Sequence, residues 1–218
     1  MGKLLIIAID GPSGVGKGTV AREVAATLGY RHIDTGAMYR GVAWRALQDR
    51  LSLDDSRALT ALSERLAIEA SDRSVRVDGV EIGGEIRTPE IDRAASRVAR
   101  IAGVRAALVA QQRRLGAAGG VVMEGRDIGT VVFPAADVKI YLDASAEERA
   151  RRRVYDEGRR DTRDFGRVAS EMAARDQSDR TREVAPLAVA PDAHVIDTTT
   201  LSIQQVVERV LAIARAAC

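Results

Sequence analysis

The stretch Gly11 to Thr19, GPSGVGKGT, constrains this chain more than any other. It follows an uninterrupted apolar run, Leu4 to Asp10 (LLIIAID), and precedes a segment from Thr19 to Leu28 whose apolar residues recur at helical spacing until Gly29 stops it. A strand buried on both faces of a parallel sheet reads as such a run. Strand, glycine loop and helix in that order are the context in which Gly-x-x-x-x-Gly-Lys binds phosphate. Glycines let successive backbone N–H groups turn toward one centre, the helix N-terminus adds partial positive charge, and Lys17 adds a full one. Gly11, Pro12, Ser13, Gly14, Val15, Gly16, Lys17, Gly18 and Thr19 are thus expected to cradle the β- and γ-phosphates of a nucleotide. In one respect the loop departs from the usual pattern. Gly18 stands where a Ser or Thr would ligate magnesium, and the hydroxyl comes one residue later on Thr19, which argues against direct ligation.

The remaining chain extends this start into an α/β fold. Short apolar runs recur at Val121 to Met123, Val138 to Leu142 and Ala193 to Ile196, each followed by a loop and a helical segment, so the expected core is a parallel sheet covered by helices on both faces. Ser145 with Glu148 and Ser202 with Gln205 have the spacing of capping boxes. The middle breaks the rhythm. Val75 to Ile82 (VRVDGVEI) alternates around Asp78-Gly79, a strong hairpin signal, Leu66 to Glu69 could add a third strand, and Thr88-Pro89-Glu90 opens a helix. These features predict an inserted subdomain with a small antiparallel sheet at about residues 60–100, within a single domain whose core is 1–59 and 101–218.

Composition excludes several classes of function. With 46% hydrophobic and 29% charged residues among 218, the chain can build a sizeable core and is not a disordered polyelectrolyte. Its 33 basic and 31 acidic residues nearly cancel, and aromatics are 3%, so neither a general nucleic-acid surface nor a stacking platform is expected. No apolar run is long enough to span a bilayer. The first apolar run ends in Asp10 and the glycine loop where a signal peptide would have its cleavage site, which gives a cytoplasmic expectation. The one cysteine, Cys218, excludes an intramolecular disulfide. His32 and His194 fall in predicted strands and are expected, like Trp44, to be structural.

Read with the phosphate loop, five segments carry a family resemblance: IDTGAMYRGVA from Ile33, GGEIRTPEI from Gly83, GVRAAL from Gly103, EGRDIGTVVFP from Glu124 and RDQSDRTREVAPL from Arg175. The Gly-Lys-Gly-Thr variant of the loop is similar to those of nucleoside monophosphate kinases, and the five segments together resemble bacterial-type cytidylate kinases. The resemblance runs from the first strand to the last helix. It implies a P-loop NTPase-type five-stranded parallel sheet flanked by helices, a monophosphate-binding insert, and an arginine-rich lid at about 149–163. It further implies a monomer acting on the small molecules ATP and CMP or dCMP with Mg2+, without nucleic-acid or membrane partners.

By positional match the resemblance implies roles for particular side chains. Lys17 and magnesium belong to the donor side, Arg40 and Arg126 to the acceptor phosphate, and Arg149, Arg152 and Arg153 to a lid closing over the transferring group. Thr35 and Tyr39 line the monophosphate pocket. Ser96, Arg105, Asp127 and Arg182 are matched to base recognition, and Arg175 and Asp179 to the ribose. Glu124 is placed to orient magnesium-bound water, where relatives often have Asp. The chemistry is coherent without a general base, because the attacking atom is a phosphate oxygen already anionic near neutral pH. A GTPase would read guanine with an Asn-Lys-x-Asp loop, yet the chain contains no asparagine. A shikimate-type kinase would share the phosphate loop but should lack the hairpin and the RDQSDRTR segment.

Overall fold

The computed structural model describes residues 3–70, 75–155 and 164–217. The chain runs β1 (Ile6–Asp10), α1 (Lys17–Leu28), β2 (Arg31–Asp34), α2 (Thr35–Gln48), α3 (Ser56–Arg65), β3 (Ile68–Ala70), β4 (Val75–Val77), β5 (Val80–Glu81), α4 (Pro89–Val98) and α5 (Ala102–Gly116). It continues through β6 (Val121–Gly125), a π-helical turn (Ile128–Val132), β7 (Val138–Asp143), α6 (Ala146–Tyr155), α7 (Phe165–Thr181), β8 (His194–Asp197) and α8 (Ile203–Ala216).

Five strands form a parallel sheet in the order β2-β6-β1-β7-β8. Side chains alternate across β1, which occupies its centre. Leu5, Ile7 and Ile9 pack with Val20, Val24, Val206 and Val210 of α1 and α8, while Ala8 packs with Ile33, Met123, Ile128 and Val132 on the other face. Burial on both faces explains why the strand reads as one continuous apolar run. The sheet order reverses around β1, and ligands of open α/β sheets bind outside the carboxyl ends of the strands at such a point. Asp10, Asp34 and Glu124 stand at or beside those ends.

A separate antiparallel sheet orders β3-β4-β5. Its hairpin turns at Asp78 and Gly79, both with positive φ (50° and 80°), as the Asp-Gly pair predicts for a type I′ turn. Thr88 caps α4 by accepting from the Ile91 N–H at 3.2 Å, with Pro89 as first helical residue. Ser202 and Gln205 make the full capping box of α8. At α6 only half of the expected box forms. Ser145 accepts from the Glu148 N–H, but the Glu148 carboxylate turns to Arg151 and Arg152 because two guanidinium partners outweigh one backbone amide. No helix among the described residues is long and apolar enough to cross a membrane.

One apolar cluster joins Val75 and Val77 of the small sheet, and Ile82 just after its last strand, to Met38, Val42, Ile91, Ala95 and Leu108 from α2, α4 and α5. The small sheet is therefore fastened to the core by shared packing and is no independent module. Ile82→Ala, at a fully buried position, should lower stability by about 2–5 kcal/mol while preserving one cooperative thermal transition. Two resolved transitions in calorimetry would contradict the shared core.

Candidate active site

A cleft of about 1080 Å³ opens at the carboxyl ends of β1, β2 and β6 and is lined on one side by Ser13, Gly14, Gly16, Lys17, Gly18 and Thr19. The loop takes its shape from glycines in conformations that side chains rarely adopt. Gly14 has φ 82°, and Gly16, at φ 90°, is the left-handed residue preceding α1. Three loop residues stand behind the wall. Gly11 lies against the Leu142 carbonyl, Pro12 contributes its own carbonyl, and Val15 is buried in the core. Lys17 folds back so that Nζ donates to the Pro12 carbonyl at 2.6 Å. Burial, followed by the nearby Arg126 guanidinium, lowers its ammonium to a pKa of about 7, against smaller support from Glu124 and Asp10.

Cations of the opposite wall are held by carboxylates. Arg40 donates to Asp34 at 2.8 Å, and Asp34 also accepts the Ala37 N–H as cap of α2. Arg126 donates to Asp179 at 2.9 Å. Burial opposes ionisation of Asp179, but Arg126 and then Arg175 hold its carboxyl below the usual range. Deeper in, Arg105 pairs with Asp127, Arg182 stands 3.6 Å from the other Asp127 oxygen, and the Arg105 guanidinium lies 5.5 Å from the centre of the Tyr39 ring. All three charged groups are buried. Arg175 has an Nε without a hydrogen-bond partner among the described residues, and burial, then Arg126, lowers it to about 10.

The structure brings Tyr39, Arg40, Ser96, Arg105, Arg126, Asp127, Arg175, Asp179 and Arg182 together on this cleft with Lys17. Thr35 also lines it, though its hydroxyl is spent on the Glu124 carbonyl at 2.7 Å, and the Ser96 hydroxyl donates to the Asp92 carbonyl at 3.1 Å. Of the expected lid, 156–163 lie outside the described residues. Arg152 reaches Glu148 and Thr198, and Arg153 reaches Asp92 at 2.5 Å, bridging α6 to α4 across the cleft. Arg149 is placed differently from the expectation. It does not line the cleft, being buried beside the loop against Asp176 and the Ser13 carbonyl.

Sequence reasoning missed the carboxylates Asp10, Asp34, Asp92 and Asp176. Asp34 had a legible signal, since it precedes a helix three residues before Ala37. Asp10 accepts from the N–H groups of Ile128 and Gly129, both at 2.8 Å, and thereby holds the turn that follows Arg126 and Asp127. Its carboxyl is raised to about 6, because burial outweighs those two hydrogen bonds. His32, expected to be structural, stands 3.3 Å from Glu124 and lines the cleft.

Among the described residues no cluster of three His, Cys, Asp or Glu side chains could hold a metal. The oxygen donors that face the loop, Glu124 and Thr19, suit a hard cation that arrives on phosphates and keeps most of its waters. A Cβ on Gly18 would come within 3.0 Å of Glu124 Oε1, so glycine there leaves that carboxylate accessible.

The family model described as cytidylate kinase matches residues 7–216. The chain is 48% identical to a cytidylate kinase of Solibacter usitatus (strain Ellin6076), over 98% of this chain and 93% of that one. It is 49% identical to a cytidylate kinase of Geobacillus sp. (strain WCH70), over 95% of each. Among solved structures, a shikimate kinase from Bacteroides thetaiotaomicron is similar with a TM-score of 0.53 at 11% identity, covering 97% of this chain and 99% of that one, a likeness of fold.

The state of Lys17 gives a measurable consequence. A triphosphate against Nζ favours the ammonium, so binding raises a pKa that otherwise lies near 7 toward the ordinary 10.5. Between those values binding takes up a proton, and affinity falls as pH rises through 7. At pH 8 Asp10 is already ionised, so titration calorimetry of ATP in buffers of different ionisation enthalpy should show uptake of most of one proton. Lys17→Met should abolish the uptake, and equal heats in all buffers for the wild type would contradict the assignment.

Proposed function

The chain belongs to the cytidylate kinase family, and from that premise we propose how its cleft transfers the γ-phosphoryl group of ATP to CMP, with dCMP as a further acceptor. Two polyanions must meet in line, and repulsion between them is the main obstacle. On the donor side the backbone N–H groups of the loop and Lys17 take the β- and γ-phosphates. On the acceptor side Arg40 and Arg126 take the monophosphate, exchanging their present carboxylate partners, Asp34 and Asp179, for phosphate oxygens. Such an exchange keeps each part-buried guanidinium paired, and the displaced carboxylates keep other partners, Asp34 the Ala37 N–H and Asp179 the Arg182 guanidinium at 3.7 Å.

The acceptor oxygen attacks the γ-phosphorus, the bond to the β-bridging oxygen breaks, and ADP leaves with that electron pair. No proton need move. Lys17, Arg126, Arg152 and Arg153 are our candidates to stabilise charge on the transferring group, with Arg152 and Arg153 leaving Glu148 and Asp92 to do so. Magnesium, when bound, neutralises the β- and γ-phosphates, and Thr19 and Glu124 are placed to hold its waters. We assign the insert at about residues 60–100 to acceptor binding and the segment at about 149–163, apart from the buried Arg149, to a lid. We take one copy of the chain to be the working unit, as the family resemblance implies.

The observation that carries the choice of acceptor is the buried set Arg105, Asp127 and Arg182 on the cleft that Lys17 also lines. Cytosine presents an amino donor at position 4 and acceptors at N3 and O2, whereas uracil reverses the first two. A carboxylate beside guanidinium donors matches cytosine and faces the uracil O4 lone pairs with like polarity. Arg175 and Asp179, exposed to the same cavity, are placed for the ribose, and Tyr39 and Thr35 for the wall of the pocket.

An ADP-release assay with ATP, magnesium and each nucleoside monophosphate should give CMP at least about a tenfold advantage over UMP in kcat/KM. Asp127→Ala should erode that ratio through CMP, while Lys17→Ala should depress both acceptors. A wild-type preference for UMP or AMP would overturn the acceptor assignment and leave the kinase assignment standing.

A further inference from the structure

Arg149 and Asp176 take no part in the steps above, yet both are almost fully buried, at 7% and 2% exposure. Neither lines the cleft. Their hydrogen bonds converge on one residue of the phosphate loop. Arg149 Nη1 donates to Asp176 Oδ2 and to the Ser13 carbonyl at 3.1 Å, and its Nε donates to the Ala144 carbonyl at 3.1 Å. The other Asp176 oxygen accepts the Ser13 N–H at 3.3 Å. Both backbone groups of Ser13 are thereby fixed by one ion pair, Arg149 coming from α6 and Asp176 from α7. The adjacent Gly14 lies flush on the same helices, since a Cβ there would stand 2.8 Å from Met172 Cε and 3.0 Å from Arg149 Cβ.

Along α7, Asp176 follows Arg175 and precedes Asp179, which line the cleft from the acceptor side. One helix thus bears the acceptor-facing side chains and, on a neighbouring face, the carboxylate that holds the donor loop. We propose that Arg149 and Asp176 are positioning residues that tie the Ser13–Gly14 half of the phosphate loop to α7, so that acceptor engaged by Arg175 and Asp179 sets the loop for the donor and the two substrates bind cooperatively. The coupling rests on the acceptor site proposed above; the brace on the loop does not. By linkage the effect is reciprocal, and each ligand must raise the affinity of the other by the same factor.

The test is titration calorimetry of the whole chain with a non-hydrolysable ATP analogue and magnesium, with CMP, and with each in the presence of the other. Wild type should show a coupling factor of about fivefold or more. Asp176→Asn should weaken the ATP analogue by about tenfold, bring the coupling factor close to one, and leave CMP alone within about twofold, a pattern that general destabilisation does not produce. If the single variant fails to fold around an unpaired Arg149, the double variant Arg149→Met/Asp176→Asn, which buries no charge at this pair, carries the same expectation. A folded variant with wild-type donor affinity and coupling would overturn the proposal, as would a wild type that binds both ligands independently. Failure of wild type to bind CMP at all would instead overturn the proposed acceptor, and the analogue's affinity in Asp176→Asn would still decide whether the brace exists.

Discussion

Like charges crowded into a buried space are the constraint on which this structure depends. Lys17, Arg40, Arg105, Arg126, Arg152, Arg153, Arg175 and Arg182 face one cavity, and cations out of water repel one another more strongly than on a surface. The fold holds them by giving most a carboxylate: Asp34 for Arg40, Asp179 for Arg126, Asp127 for Arg105, Asp92 for Arg153. Such pairs add little to stability by themselves, since desolvation consumes much of the attraction. In the proposed reaction a phosphate takes the carboxylate's place at Arg40 and Arg126. Lys17 shows what happens with less compensation: burial and Arg126 bring its pKa down to about 7.

Those carboxylates are positioned by the parallel sheet. Register places Asp10 opposite Gly125 and Asp34 opposite Glu124, so adjacent strands deliver acidic side chains to the same end of the sheet. Asp10 then does more than add charge, because its two hydrogen bonds to Ile128 and Gly129 fix the turn beyond Arg126 and Asp127. The strand that leads into the phosphate loop therefore also anchors the loop that carries Arg126 and Asp127.

Features with local causes could be read from the sequence. The β1 run, the glycine loop, the Asp78-Gly79 turn and the Thr88 and Ser202 caps each depend on a few neighbouring residues, and each has the expected form. What the chain alone hid was pairing over long separations. Nothing near Arg149 distinguishes it from Arg152 or Arg153, for all three lie in one arginine run. Only the packing of α6 against α7 and the loop buries the first and leaves the others at the cleft. Glu148 shows the same limit at short range, since its expected cap competed with two arginines that composition alone could not rank.

The likeness to a shikimate kinase fold at 11% identity shows that the frame does not choose the acceptor. Tyr39 on α2, Arg105 on α5, Asp127 after β6 and Arg182 at the end of α7 converge on the cleft from separate elements. None is sequence-adjacent to another, so no short motif encodes this cluster. The Arg105 guanidinium is held by a carboxylate on one side and the Tyr39 ring on the other, which fixes its donors in direction before a ligand arrives. A base that mismatches this arrangement leaves a buried charge facing like polarity, and that penalty exceeds what a missing surface contact would cost. Arg105, Asp127 and Arg182 are buried together in one charged network, and the proposed selectivity rests on that burial.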